Sequence, residues 1–329
     1  MSNNSNTLNY VETDTDLKLL KPKKIFNSPL AKRIYKMRYY YLLLLPIIVY
    51  YIIFHYIPMY GVTIAFKNYT FSEGILGSKW VGSENFKRLF DSPLFYTIFK
   101  NTVNISLQRL VFGFPAPIIL AILLNEIYHP KFKKILQTIS YLPHFISWVI
   151  LAGIVKELLA PTRGAINGLM ALFGREPIHF LAEPAYFVGV LIISGIWQGV
   201  GWGTIVYLAA IAGIDMEQFD SAYIDGANRF QIIRHITLPS IKSVVLVLFI
   251  LNLGGILNSG FDQIFNLYNP MVYSVADVID TYVYRKGLLN MEYSFSTAVG
   301  LFKNVIGFIL VILSNLIVKR LSGGEQGIW

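Results

Sequence analysis

The chain has 329 residues and a formal net charge of +9, yet only 14% of its residues are charged while 54% are hydrophobic. An ordinary soluble domain is about a quarter charged, so this composition does not suit a water-soluble globule. Cysteine is absent, which removes disulfide frameworks, thiolate metal sites and cysteine nucleophiles.

The first 38 residues form a polar tail with eight Lys and Arg and no apolar core. Six apolar runs follow, at 39–60, 102–124, 137–160, 186–212, 243–261 and 297–318. Each is long enough to cross a bilayer as a helix. The first exceeds the apolar stretch of a secretory signal and is expected to remain as an anchor. Pro46, Pro58, Pro115, Pro117 and Pro143 lie within these runs. Neighbouring helices tolerate such residues in a membrane bundle, so kinks are predicted. The expectation is an all-α integral membrane protein with a six-helix domain over 39–320, preceded by a tail at 1–38 and followed by one at 321–329.

The charges divide by side. The two tails and the second and fourth connections hold sixteen basic and nine acidic residues, whereas the other connections hold nine of each. By the positive-inside rule both termini face the cytoplasm, and the basic balance becomes a topology signal rather than a sign of nucleic acid. The connections 61–101, 161–185 and 262–296 then lie outside. They are rich in Gly and aromatic residues, and too long for simple turns, so they are predicted to fold over the outer mouth.

The inside connection 213–242 carries the most information. Asp215 suits a helix N-cap. Met216, Phe219 and Tyr223 then share one helical face, and Glu217 and Asp220 another. Gly226 suits the break that follows, and a second amphipathic stretch over 228–238 is predicted to end at Pro239. Such an element either lies on lipid or docks a soluble partner, and its residues alone leave both open. The run Asp220-Ser221-Ala222, three residues, Gly226, nine residues, Ile236-Thr237-Leu238-Pro239 resembles the Glu-Ala-Ala, x3, Gly, x9, Ile-x-Leu-Pro signature of binding-protein-dependent ABC importer permeases. The spacing is kept; Asp220 stands for the usual Glu and Ser221 for the first Ala. The resemblance implies a type I importer permease in which Asp220, Ser221, Ala222, Gly226, Ile236, Leu238 and Pro239 form a coupling element seated in a groove of an ATPase subunit.

The segments Tyr56-Ile57-Pro58-Met59-Tyr60-Gly61-Val62-Thr63-Ile64-Ala65-Phe66-Lys67-Asn68-Tyr69 and Trp80-Val81-Gly82-Ser83-Glu84-Asn85-Phe86 are similar to carbohydrate-uptake permeases, and closest to the branch that handles oligosaccharides derived from polysaccharides. This similarity covers 39–329. It implies a second homologous permease, two cytosolic ABC ATPase subunits, an extracytoplasmic solute-binding protein and an oligosaccharide substrate, all at a bacterial cytoplasmic membrane. No cofactor is expected on this chain; ATP and Mg belong to the ATPase subunits. Leu321-Ser322-Gly323-Gly324-Glu325-Gln326 resembles the Leu-Ser-Gly-Gly-Gln signature of ABC ATPases. Only nine residues remain from Leu321, however, and no Gly-x4-Gly-Lys-Ser/Thr phosphate loop occurs in the chain. The subunit is therefore read as a transport component without its own ATPase site.

Within the spans, Gly195, Gly199 and Gly203 recur at i+4 and present a face for close helix packing. Trp197, Gln198 and Trp202 are interleaved with them, able to stack on sugar rings and to hydrogen bond, or to anchor at a membrane interface. Asn104, Gln108, Arg109, Asn252 and Asn258 are expected to face the bundle interior or a wet cavity, as interhelical bonds or as substrate contacts. Arg109 is the better functional candidate, since a guanidinium would suit the carboxylate of an acidic oligosaccharide. The five histidines form no metal-binding motif, and Glu157 lies beside Lys156 near the end of the third span, snorkelling or paired. The readings left as alternatives are a secondary sugar carrier and, behind it, a membrane enzyme acting on lipid-linked sugar.

Overall fold

The computed structural model describes residues 33 and 35–321. Most of the basic tail and the 322–326 part of the terminal motif lie outside the described residues. In chain order the helices are α1 (Arg38–Phe66), α2 (Pro93–Asn125), the consecutive α3 (Pro130–Phe145) and α4 (Trp148–Leu158), α5 (Pro184–Ala212), α6 (Met216–Ile224), α7 (Arg229–Gly254), α8 (Phe261–Leu267), α9 (Ile279–Tyr284) and α10 (Tyr293–Arg320). Five of these are long and apolar enough to cross a membrane, and six spans result when α3 and α4 count as one. The chain divides into a first unit ending at Tyr60, whose helical side chains are exposed, and a second unit from Gly61 onward.

Several helices differ from their expected limits. The second begins at Pro93, because Ser92 is extended and Pro93 at the first helical position has no N–H to leave unbonded. The third span is not continuous over 137–160: α3 and α4 meet at 108°, with Ile146 and Ser147 extended between them. The fifth runs over Arg229–Gly254 instead of 243–261, passing through Pro239 rather than ending there. A proline in a helix lacks an N–H and its ring crowds the carbonyl four residues back. Here the helix widens into a π turn at Ile233–Thr237, which relieves that crowding. The π turns Ile52–Tyr56 and Arg109–Gly113 likewise end two residues ahead of Pro58 and Pro115.

In the second unit the 61–101 connection folds locally. Lys67–Asn68 pairs antiparallel with Lys79–Trp80, and the Asn85 amide donates to the carbonyls of Ala65 and Lys67 at 2.9 and 3.1 Å. Glu157 pairs with Arg163 at 2.8 Å rather than with Lys156. One buried cluster joins α2, α4, α5 and α8 through Ile105, Ala152, Phe187, Leu191 and Ile264. A second joins α2, α9 and α10 through Phe95, Ile98, Ile279, Tyr282 and Val299.

The expected glycine face on α5 is used unevenly. Gly203 packs on Pro117, where a Cβ would lie 2.9 Å from Cγ; Gly195 has only ordinary contact with Gln263, and Gly199 faces open space. The closest approach is at Gly201, off that face: a Cβ there would lie 2.0 Å from the Ser140 carbonyl oxygen of α3. Gly201→Ala must push α3 and α5 apart at about 1–3 kcal/mol. It is expected to lower the melting temperature of the detergent-solubilised protein by several degrees, whereas Gly199→Ala leaves it unchanged. Equal shifts for the two variants would refute this packing.

Candidate functional site

Two regions carry the sequence-derived residues. The first is the turn between α5 and α7. The Asp215 carboxylate accepts from the Glu217 N–H at 3.0 Å and so caps α6. Ser221 Oγ donates back to the Glu217 carbonyl at 2.8 Å. After α6 the chain reverses at Gly226, whose φ of +76° lies in the left-handed region. The Ala227 N–H then closes on the Ala222 carbonyl at 2.9 Å. Asn228 starts α7 with a reciprocal capping box: its side chain accepts from the Gln231 N–H at 3.0 Å, and the Gln231 side chain accepts from the Asn228 N–H at 2.8 Å. Arg229 lies 5.2 Å over the Tyr128 ring, tying the turn to the α2–α3 connection.

No side chain of α6 is buried. Met216, Tyr223, Ile224 and Phe230 are exposed, while Phe219 is half-buried. Asp220 and Ser221 are exposed on α6, and Ala222 is half-buried. Ala222, Gly226, His235 and Ile236 line a concavity of about 270 Å³ between α6 and the start of α7. Leu238 and Pro239 are exposed one turn further on.

The second region surrounds Arg109. Its Nη2 donates to Gln263 Oε1 on α8, and the Gln263 amide is oriented by donating to the Leu191 carbonyl and to Ser194 Oγ, both at 2.8 Å. Gly260, in the left-handed region at φ +76°, leaves the room the guanidinium occupies, since a Cβ there would lie 2.3 Å from Nη1. The Nε of Arg109 is buried and bonds nothing in the protein. A buried donor without a partner is costly, and a ligand acceptor would relieve that cost.

Arg109 forms part of the wall of two cavities. The larger, about 430 Å³, is also lined by Ser106, Trp202, Asn252 and Asn258. The smaller, about 240 Å³, lies along Ile192, Gly195 and Gly199. Trp202 is held by His144, stacked at 4.7 Å and 4°, and by Phe145 edge-on at 5.7 Å. The break between α3 and α4 thus fixes the indole of α5. Asn252 spends one amide hydrogen on the Leu248 carbonyl at 2.9 Å.

The structure therefore brings Arg109, Trp202, Asn252 and Asn258 together and leaves the other candidates apart. Gln108 donates to Asn104 at 3.1 Å on an exposed stretch of α2. Trp197 lines a separate, almost wholly apolar cavity of about 500 Å³ with Phe180 and Tyr186, and Gln198 is half-buried beside it in sequence. Gln263, Gly260 and His144 were not among the expected residues. Gln263 carried a weak sign at most, since it shares the Phe261–Leu267 segment with Asp262 and Asn266. Among the described residues, no three His, Asp or Glu converge as a metal site.

Residues 113–323 match the family described as Binding-protein-dependent transport system inner membrane component. The Polygalacturonan/rhamnogalacturonan transport system permease protein YteP of Bacillus subtilis is 46% identical over 278 residues, covering 84% of this chain and 86% of that protein. The arabinooligosaccharides transport system permease protein AraP of the same organism is 28% identical over 252 residues, covering 75% of this chain and 78% of that protein. A chain of a bacterial ABC transporter that imports the acidic polysaccharide alginate superposes with a TM-score of 0.83 at 42% identity, covering 89% of this chain and 99% of its own length. A chain of the bacterial alginate ABC transporter in complex with an alginate pentasaccharide-bound periplasmic protein gives 0.84 at 41%, covering 92% and 100%.

The six-span helical fold is thus that of a type I ABC importer permease, a transport subunit rather than an enzyme. The chain belongs to the binding-protein-dependent transport system inner membrane components.

Proposed function

We propose that this permease forms one half of the path of an ATP-driven importer for a uronate-containing oligosaccharide. The observation that carries the substrate class is Arg109, a guanidinium with an unbonded Nε at the wall of a polar cavity that also presents an indole and two carboxamides. A carboxylate fits such a donor set. The names of the more similar relatives agree in kind: polygalacturonan and alginate are acidic polymers, whereas the arabinooligosaccharides named for the 28% identical AraP are neutral. The path is completed by a second permease, and a solute-binding protein delivers the sugar from outside the cytoplasmic membrane.

Both termini and the 213–242 segment face the cytoplasm in this reading. The Asp220–Pro239 turn docks an ATPase subunit, which supplies ATP and Mg. α7 connects that turn to the cavity. Its 26 residues, Arg229–Gly254, extend about 39 Å as a helix, from Arg229 beside the turn past Asn252 at the cavity wall. Displacement of the turn on nucleotide binding would then move the cavity wall through one rod, switching the path between two arrangements.

Arg109→Gln is expected to reduce uptake of uronate oligosaccharides by the reconstituted importer by about tenfold or more, the effect of losing a charge-assisted pair. Uptake of a carboxyl-reduced analogue should be unaffected. Equal uptake of both sugars by wild type and variant would overturn the acidic assignment.

A further inference from the structure

A second cavity, about 440 Å³, lies where α8, α9 and α10 meet, and none of the residues singled out from the sequence lines it. Its wall includes Phe261, Asp280, Tyr284, Gly287, Tyr293 and Ser296. The aromatic members are fixed in place: Tyr284 meets Phe261 at 5.5 Å and Phe265 at 5.0 Å, and Tyr293 meets Phe71 at 5.2 Å. Asp280 accepts from Lys303 Nζ at 2.5 Å, so the nearby cation is already neutralised. Ser296 is 6% exposed, and its Oγ bonds nothing in the protein. Gly287 packs directly against that side chain, since a Cβ there would lie 2.9 Å from both Cβ and Oγ of Ser296.

The chemistry differs from that at Arg109. A paired Asp–Lys leaves no net positive charge to attract a carboxylate, while the Asp280 carboxylate retains acceptor capacity for hydroxyl groups. Ser296 offers one donor and two acceptor positions. Aromatic rings on the same wall suit the apolar C–H face of a sugar. The ligand these groups fit is a polyhydroxylated ring held by its hydroxyls.

The two cavities lie on either side of one short turn. Asn258 lines the Arg109 cavity and Phe261 lines this one. Three backbone steps separate them, at most about 11 Å between their Cα atoms, a distance a chain of sugar rings can bridge. We propose that the α8–α9–α10 cavity is a second subsite of the path, binding the hydroxyl edge of a ring in an oligosaccharide whose uronate carboxylate is held at Arg109. It rests on the uronate reading above, and its consequence is selectivity for length, because a long oligosaccharide engages both subsites and a short one engages only the first.

Ser296→Ala is the sharpest test, since the hydroxyl it removes bonds nothing in the chain and its loss leaves the fold intact. Tyr284→Ala is the companion. The full importer is reconstituted in proteoliposomes and supplied with dimers and tetramers of galacturonate and of alginate. In the series that the wild type transports, each variant should raise the KM for the tetramer about five- to tenfold, the loss of one hydrogen bond or one ring contact, with that for the dimer unchanged. Arg109→Gln should raise both. If Ser296→Ala and Tyr284→Ala leave the tetramer unchanged, or shift dimer and tetramer equally, the second subsite is refuted while the Arg109 result stands. If Arg109→Gln alters neither oligomer, or the wild type imports neither series, the uronate reading fails instead.

Discussion

Gly226→Val is expected to abolish ATP-driven uptake by the assembled importer and to remove the stimulation of ATP hydrolysis by loaded binding protein, while the protein still inserts and folds. Gly226 has φ +76°, and a Cβ at this position would meet nothing within 4 Å. Within this chain the effect of a side chain is therefore one of backbone conformation. For most L residues the left-handed region costs about 1–2 kcal/mol, more for a β-branched one, whereas Asn tolerates it. A graded series follows: Val most damaging, Ala intermediate, Asn close to wild type. Relief of strain would unwind the reversal closed by Ala227 N–H and the Ala222 carbonyl. That would misplace the exposed α6 residues relative to α7. Uptake and ATP hydrolysis measured in the same proteoliposomes separate this from a folding defect. Wild-type uptake by the Val variant, or by a deletion of residues 220–226, would sink the coupling assignment.

Much of this architecture is legible in the sequence because a bilayer imposes a length and a polarity that single residues report directly. Runs such as 186–212 and 297–318 lie within observed helices, Pro184–Ala212 and Tyr293–Arg320. Proline was the misleading signal. Pro239 reads as a helix end on local grounds, yet the π turn ahead of it lets α7 continue. At Pro143 the reverse holds, since the chain breaks a few residues later, at Ile146 and Ser147, which carry no strong breaker signature. The arginine and glycines of the path were visible as residue types, but their use depends on neighbours far away in sequence. Gly199 and Gly201 look alike in the chain; only the position of Ser140 makes one of them indispensable. Arg109 is oriented by Gln263, 154 residues later, in a segment read as an outer connection. Tertiary contacts of this kind leave no periodic trace.

Asp277→Ala is expected to destabilise the second unit strongly. Asp277 is 3% exposed, and its carboxylate accepts from Arg285 Nη1 at 2.8 Å, from Nη2 at 2.5 Å and from Thr281 Oγ1 at 2.7 Å. Its carbonyl accepts from the Asn101 amide at 3.1 Å, and the Ile279 N–H donates to Thr102 Oγ1 at 3.0 Å, so the network ties α9 to α2. Hydrogen bonding to Asp277 raises the Arg285 guanidinium further above its ordinary range. A cation with a raised folded pKa gives stability that is complete below its unfolded pKa and is lost only as pH rises through the folded one. The arginine side of the pair therefore holds at every physiological pH. Removing the carboxylate leaves the positive charge of Arg285 without its counter-ion, against the Tyr273 ring at 5.0 Å. Breaking a fully buried pair costs about 3–5 kcal/mol; since the Arg285 side chain is 24% exposed, about 2–3 kcal/mol is expected. The melting temperature of the purified protein should fall accordingly, and Asp277→Ala combined with Arg285→Met should recover part of the loss, because no unpaired charge then remains. A double variant no more stable than Asp277→Ala would place the contribution in the Thr281 bond instead. Tyr284 immediately precedes Arg285 and Asp280 lies one turn back on α9. The same pair thus holds the wall of the second cavity, and its loss should weaken tetramer uptake even in the folded fraction.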